Sequence, residues 1–165
     1  MSTNTPTSPD TSIKANPLTM TKPEREAFLA DVHVGVISIE REGGAPLTVP
    51  IWYGYSPEQG VWVLTEPGSQ KGKALSAAGR FSLCAQVETP PGYKYVSVSG
   101  PITEERSADL EKDSRPMAHR YFGPALGDMY VEGNAGGSQS NCHISEPMTC
   151  SISPRSRALR GSSVW

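Results

Sequence analysis

Thr48-Val49-Pro50-Ile51-Trp52-Tyr53-Gly54-Tyr55, Ser56-Pro57-Glu58-Gln59-Gly60, Val61-Trp62-Val63-Leu64-Thr65, and Glu66-Pro67-Gly68-Ser69-Gln70 ahead of Lys71 to Ala78 and Gly79: this run decides the fold. Its two apolar blocks, rich in β-branched and aromatic residues, read as strands. The segment between them is made of turn formers. Lys71 to Ala78 suits a short helix, and Gly79 suits the left-handed residue that ends it. Upstream, Val34, Val36, Ile37 and Ile39 form a strand that ends at a turn through Arg41-Glu42-Gly43-Gly44. Downstream, Phe81 to Val87 and Tyr93 to Ile102 are two more strands, separated by Thr89-Pro90-Pro91-Gly92. Closely spaced strands with one small helix after the third predict an antiparallel barrel, mainly β with short helices, and not a βαβ sheet.

Around this barrel the sequence predicts three more helices. Thr21-Lys22-Pro23-Glu24 has the capping-box pattern, so a helix should run through Phe28 and Leu29. Ala108 to Tyr121 reads as a helix that Pro116 must break or kink. Leu126 to Val131 is a shorter helical piece. Residues 1 to 20 are Ser, Thr, Pro and Asn in the main and read as a disordered arm. The barrel domain spans 21 to 132. In 133 to 165 Gly, Ser and Asn dominate, and beyond a weak Cys150-Ser151-Ile152 no strand alternation is visible, so a loosely ordered tail is expected.

The chain has 165 residues, enough for one core, and a formal net charge of -2, so nothing drives it as a whole toward nucleic acid or an acidic membrane. No apolar run is long enough to span a bilayer. The N-terminal residues lack the apolar core of a secretory signal, and the expected location is cytoplasmic. Cys84, Cys142 and Cys150 have no metal-ligand spacing and are expected as thiols, and His33, His119 and His143 are scattered, so no metal site is expected. His119 should cap a helix or face solvent. Neither a GxSxG elbow nor HExxH nor CxxC is present, and Glu88 and Glu104 lie too far apart in the pattern to pair as acid and base.

Three stretches can carry chemistry. In Val49 to Tyr55, Pro50 removes a ladder donor and belongs at a sheet edge or bulge, where backbone groups can turn toward a ligand. Trp52, Tyr53 and Tyr55 also serve simply as packing aromatics. In Thr65 to Ala74 a strand ends, a Gly/Ser loop follows, and a helix opens with Lys71 and Lys73. Lysines oppose the positive end of the helix dipole, which is explained if an anion sits there, with Ser69 donating a further hydrogen bond. A solvated charged loop is the alternative. In Tyr93 to Gly100, Ser97 and Ser99 alternate with valines on a half-exposed strand.

Together with Ala78-Gly79-Arg80-Phe81-Ser82-Leu83 and Tyr95-Val96-Ser97-Val98-Ser99-Gly100, these stretches resemble the pyridoxamine 5'-phosphate oxidase-like split-barrel superfamily. Within it they are most similar to the actinobacterial flavin- and deazaflavin-dependent oxidoreductases, over roughly Thr21 to Val131. The resemblance implies a homodimer with cofactor sites at the subunit interface, holding the deazaflavin coenzyme F-420 or, alternatively, FMN, and passing hydride to or from a small organic substrate. It implies that Ser69, Lys71 and Lys73 hold the cofactor phosphate, with Thr65 beside them, and that Val49, Pro50, Ile51, Trp52 and Tyr53 lie along the ring. The catalytic acid is unknown, with Tyr53 and Tyr95 as weak candidates. A non-catalytic cofactor carrier is the alternative function. The departure is at the end: Pro154-Arg155 is at best a vestige of the closing stretch, so the last strand is missing or strongly diverged.

Overall fold

The computed structural model describes residues 19–89, 92–137, 139–144 and 148–152. Helix α1 (Lys22–Ala30) leads into strands β1 (Gly35–Ile39), β2 (Leu47–Ile51), β3 (Tyr53–Ser56) and β4 (Gly60–Thr65), followed by α2 (Gln70–Ala78), β5 (Arg80–Val87), β6 (Lys94–Pro101) and β7 (Glu104–Ser107). A π-helical turn at Leu110–Ser114 opens α3 (Arg115–Phe122), and α4 (Pro124–Gly133), β8 (Ser140–Ile144) and β9 (Met148–Ile152) follow. The strands form two antiparallel sheets, one in the order β2-β1-β5-β6-β9 and one in the order β3-β4-β8-β7. This is the split barrel expected from the sequence.

Local signals account for most of these boundaries. Thr21 accepts from the Glu24 backbone N–H while Glu24 accepts from the Thr21 backbone, so α1 has a complete capping box. Ser69 caps α2 by accepting from the Gly72 N–H, and Gly79 closes the helix at φ 60°. Pro50 sits on β2, which among the described residues is an edge strand, the position where a sheet tolerates proline.

The core lies between the sheets. Ile37, Leu83 and Val98 share one register row, with Phe81, Ala85 and Val96 beside them. Tyr53, Val61 and Val63 join them from the second sheet, and Leu29 of α1 and Leu75 of α2 belong to the same core. Gly54 is fixed by close packing: a Cβ there would lie 2.1 Å from the Trp62 ring. Met20 is 4% exposed and belongs to this core, which corrects the expected arm at its last residue. Residues 1–18 fall outside the described residues.

Three readings are corrected. The single strand expected over Thr48 to Tyr55 is two strands, because the chain crosses from one sheet to the other at Trp52. The helix expected from Ala108 begins at a π-turn capped by the Asp109 carboxylate, and Pro116 lies in the first turn of α3, where no N–H is needed. The tail holds two paired strands, β8 between β4 and β7 and β9 on β6, where no regular strand was expected. β8 shows no alternation because it is covered on both faces: Cys142 is 0% and His143 4% exposed, the latter stacked on Trp62.

Helix α3 fastens the architecture. The Arg120 guanidinium donates to the carbonyls of Leu29, Ala30 and Asp31 at the end of α1. The Tyr121 hydroxyl accepts from the Tyr53 N–H at 3.0 Å and donates to the His33 carbonyl at 2.8 Å, holding the start of β3 just past the crossover. His33 stacks on Phe28 at 4.3 Å, and burial lowers the pKa of its imidazole. The folded chain thus holds that proton less tightly than the unfolded chain. The resulting stability is present above the ordinary histidine value of about 6.5 and is lost as pH falls through and below it. The urea midpoint should therefore be lower at a pH of about 5.5 than at about 7.5, and His33→Phe should flatten that interval. A parent midpoint constant across it would contradict this. Asp128, held low by the His119 hydrogen bond and by Arg115, acts below that window.

Candidate functional site

Where the chain crosses between sheets it leaves a cleft of about 350 Å³ under α3 and α4. Pro50, Ile51 and Trp52 form one wall. Leu64 and Lys71 come from the end of β4 and the start of α2, Met117 and Ala118 from α3, Ser114 from the turn that opens α3, Tyr130 from α4 and Gln139 from just ahead of β8. The volume lies in the range of small-ligand pockets, about 300–1,000 Å³. Trp52 is held from behind: its ring stacks on Tyr121 at 4.8 Å and 8°, and Phe122 and Tyr130 pack on it at 4.8 and 5.6 Å.

Among the described residues Lys71 is the one cationic group in this lining. It is half-buried, and burial lowers its pKa below the ordinary lysine value. Among the described residues no carboxylate is within ion-pair distance of it. A desolvated ammonium without a counter-charge is unfavourable unless an anion completes it. The residues therefore fit a planar ring carrying an anionic group: an apolar and aromatic wall for the ring, and one ammonium for the charge.

The structure brings together Pro50, Ile51, Trp52 and Lys71 as the sequence suggests, and separates the other candidates. Val49 packs partly buried against the core. Thr65 and Ser69 belong to the cap of α2: the two hydroxyls lie 3.3 Å apart, and Ser69 donates its proton to the Glu66 carbonyl. That corrects the expectation of a free Ser69 donor. Lys73 lies on the other side of α2, in a groove with Glu40, Arg41 and Glu42. Tyr53 is 0% exposed, and burial raises its pKa. Tyr95 stands on the outer face of β6, 41% exposed. Neither tyrosine lines the cleft. His119 neither caps nor stands free in solvent: its Nε2 is 2.7 Å from Asp128, which ties α3 to α4.

Tyr130, Ser114 and Gln139 are the functional candidates that the sequence reading misses. Tyr130 alone had a signal, as a large aromatic in a short apolar helix that leaves it 41% exposed. Ser114 donates to the Gln139 side chain at 3.1 Å, a contact between residues 25 apart that no local pattern records. Among the described side chains Cys84 and Cys142 are free thiols, and burial pushes Cys142 up to about 11. Among the described residues no three His, Cys, Asp or Glu side chains converge on a point that could hold a metal, and no helix is long and apolar enough to cross a membrane.

A family model described as pyridoxamine 5'-phosphate oxidase matches residues 21–141. No protein of curated function matches the sequence. Among solved structures, a conserved hypothetical protein of Mycobacterium tuberculosis matches with a TM-score of 0.68 at 18% identity, over 90% of this chain and 92% of that one. An F-420 reductase matches at 0.59 and 16% identity, over 75% and 94% of the two chains. A FAD-binding protein of Mesorhizobium loti matches at 0.56 and 19%, over 82% and 96%. At such identities the likeness is one of fold.

Proposed function

We propose, from the premise that this chain belongs to the pyridoxamine 5'-phosphate oxidase family, that it binds an anionic flavin-type cofactor in the Lys71 cleft and uses it for hydride transfer to or from a small organic substrate. The observation that carries the proposal is Lys71, a half-buried ammonium in the lining of an aromatic pocket, with no carboxylate partner among the described residues. The deazaflavin F-420 is the first choice and FMN the second, and the fold likeness to an F-420 reductase supports that order.

When bound, such a cofactor supplies two-electron chemistry, and the protein binds, orients and shields it. Lys71 holds the anionic group. Ile51, Leu64 and Met117 keep water from the ring wall, and Trp52, braced by Tyr121, fixes its position. An acceptor that takes a hydride also takes a proton, and the phenol of Tyr130 is the side chain in the lining suited to deliver one. The active form is proposed to be a homodimer. Val34, 52% exposed, and the exposed Pro50 both edge the cleft and leave apolar surface that a second copy would cover.

A carrier that binds without turnover is the second reading, favoured by a lining that, among the described residues, holds no histidine or carboxylate. One experiment separates the two. The purified protein is titrated with F-420 and with FMN, following Trp52 emission, and the reduced complex is then mixed with enone and quinone acceptors. Binding followed by reoxidation that depends on the acceptor supports the enzyme. Binding with no reoxidation by any acceptor supports the carrier, and no binding of either cofactor refutes both. Sedimentation of the loaded protein tests the dimer, and a monomer alone counts against it.

A further inference from the structure

The cleft does not end at the Ser114–Gln139 hydrogen bond. Beyond it lies a second compartment of about 230 Å³, which shares Ser114, Tyr130 and Gln139 with the first and is otherwise edged by Glu66, Leu110, Val131 and Asn134. The two compartments carry opposite charges. Lys71 is the ammonium of one and Glu66 the carboxylate of the other, and the two are not paired with each other. Among the described residues no basic side chain pairs with Glu66. It is the Glu66 backbone carbonyl that binds Ser69 in the cap of α2, so the carboxylate is free of structural duty.

The neutral groups of this compartment supply both acceptors and donors. Asn134 donates its amide nitrogen to the Tyr130 carbonyl at 2.7 Å and keeps its side-chain oxygen and its second N–H open. Ser114 gives its proton to Gln139 and so keeps lone pairs free. The Gln139 amide nitrogen and the Tyr130 hydroxyl can donate as well. Charge sets the preference: the Glu66 carboxylate shares the lining with the Asn134 and Ser114 oxygens and, among the described residues, with no cation, so it favours a ligand end that is cationic and rich in N–H.

We propose that this second compartment binds a cationic nitrogen, an ammonium or amidinium group of the organic substrate, across the Ser114–Gln139 wall from the Lys71 pocket. The binding follows from the compartment itself. Its role as the substrate end rests on the reading of the Lys71 pocket as the cofactor site. The substrate class that results is a cyclic or unsaturated compound bearing a basic nitrogen on a short arm, with its apolar part against Tyr130 and Val131.

The probes are phenethylammonium, 2-phenylethanol and 3-phenylpropanoate, three compounds of similar size that differ in charge. Each is titrated into the full-length protein with ¹⁵N–¹H NMR detection, and FMN and F-420 are titrated in parallel. Phenethylammonium should move the amide signals of Glu66, Asn134 and Gln139 and bind more tightly than the other two. Glu66→Gln should weaken it by about fivefold while leaving the affinity for whichever cofactor binds the parent unchanged. Lys71→Ala should not weaken it. Melting of each variant checks that the fold is intact, which is expected because the Glu66 side chain is exposed. Equal binding of the amine and the alcohol, an unchanged affinity in Glu66→Gln, or no binding at concentrations on the order of 10 mM would overturn the proposal. Amine binding with no binding of FMN or F-420 would refute the cofactor reading and leave this compartment standing.

Discussion

Arg120→Ala should destabilise the folded chain by about 3 kcal/mol, and by roughly 10 °C in melting temperature. The guanidinium serves the last carbonyls of α1 (those of Leu29, Ala30 and Asp31), which have no partner within the helix. Hydrogen bonds to a charged donor contribute about 1.5–3 kcal/mol each, less where water competes, and the Ala30 and Asp31 carbonyls are exposed. The Leu29 bond is part-buried and leaves a stranded acceptor when it is lost. The guanidinium also lies 5.4 Å over the Tyr53 ring, so the alanine removes packing as well. Arg120→Lys should recover less than half of the loss, since a single ammonium cannot span three carbonyls as a planar fork does. Urea unfolding of the parent and both variants measures this. A loss below about 1 kcal/mol for the alanine would show that α1 is held by its apolar face alone.

That latch also shows where the sequence stops being legible. Two helix ends were readable because each is written in adjacent residues: Thr21 with Glu24, and Gly79 alone. Strands β1 to β6 were readable from their apolar runs, with β2 and β3 read as one, while β7 and β8 were not. β7 is Glu-Glu-Arg-Ser, exposed and charged, and is a strand only because β8 lies beside it. Arg120 and Tyr121 act on residues 68 to 91 positions away, and nothing in their neighbourhood announces it. Half of the cleft was legible for the same reason. Pro50, Trp52 and Lys71 sit on local features, an edge strand and a helix start, whereas Ser114, Tyr130 and Gln139 arrive by the packing of α3, α4 and the tail. Alternation along one strand could not place Tyr53, because the chain changes sheet at Trp52: Ile51 and Trp52 line the cleft while Tyr53 enters the core of the second sheet.

Lys71→Ala should weaken the binding of an anionic flavin-type cofactor by tenfold to a hundredfold, the equivalent of a lost charge-assisted contact of about 1.5–3 kcal/mol. Lys73→Ala should do much less, because its side chain lies in the groove with Glu40, Arg41 and Glu42, away from the cleft. Folding should survive both changes. The Lys71 variant should even melt no lower than the parent near neutral pH. Burial disfavours the charged form of this lysine, so the ammonium is a burden on the free fold and replacing it relieves that burden. The same shift predicts a pH dependence of binding. The free protein gives up the Lys71 proton below the ordinary lysine value of about 10.4, while a bound phosphate favours the charged form. Affinity should thus fall as pH rises through the free-protein value, and in Lys71→Ala that alkaline limb should vanish. Titration of the parent and the two variants with FMN and with the deazaflavin, at neutral and alkaline pH, measures all of these effects. Three equal affinities would remove the anion site. A fall in the Lys73 variant larger than in the Lys71 variant would move it to the opposite face of α2, where no aromatic wall is present to receive a ring.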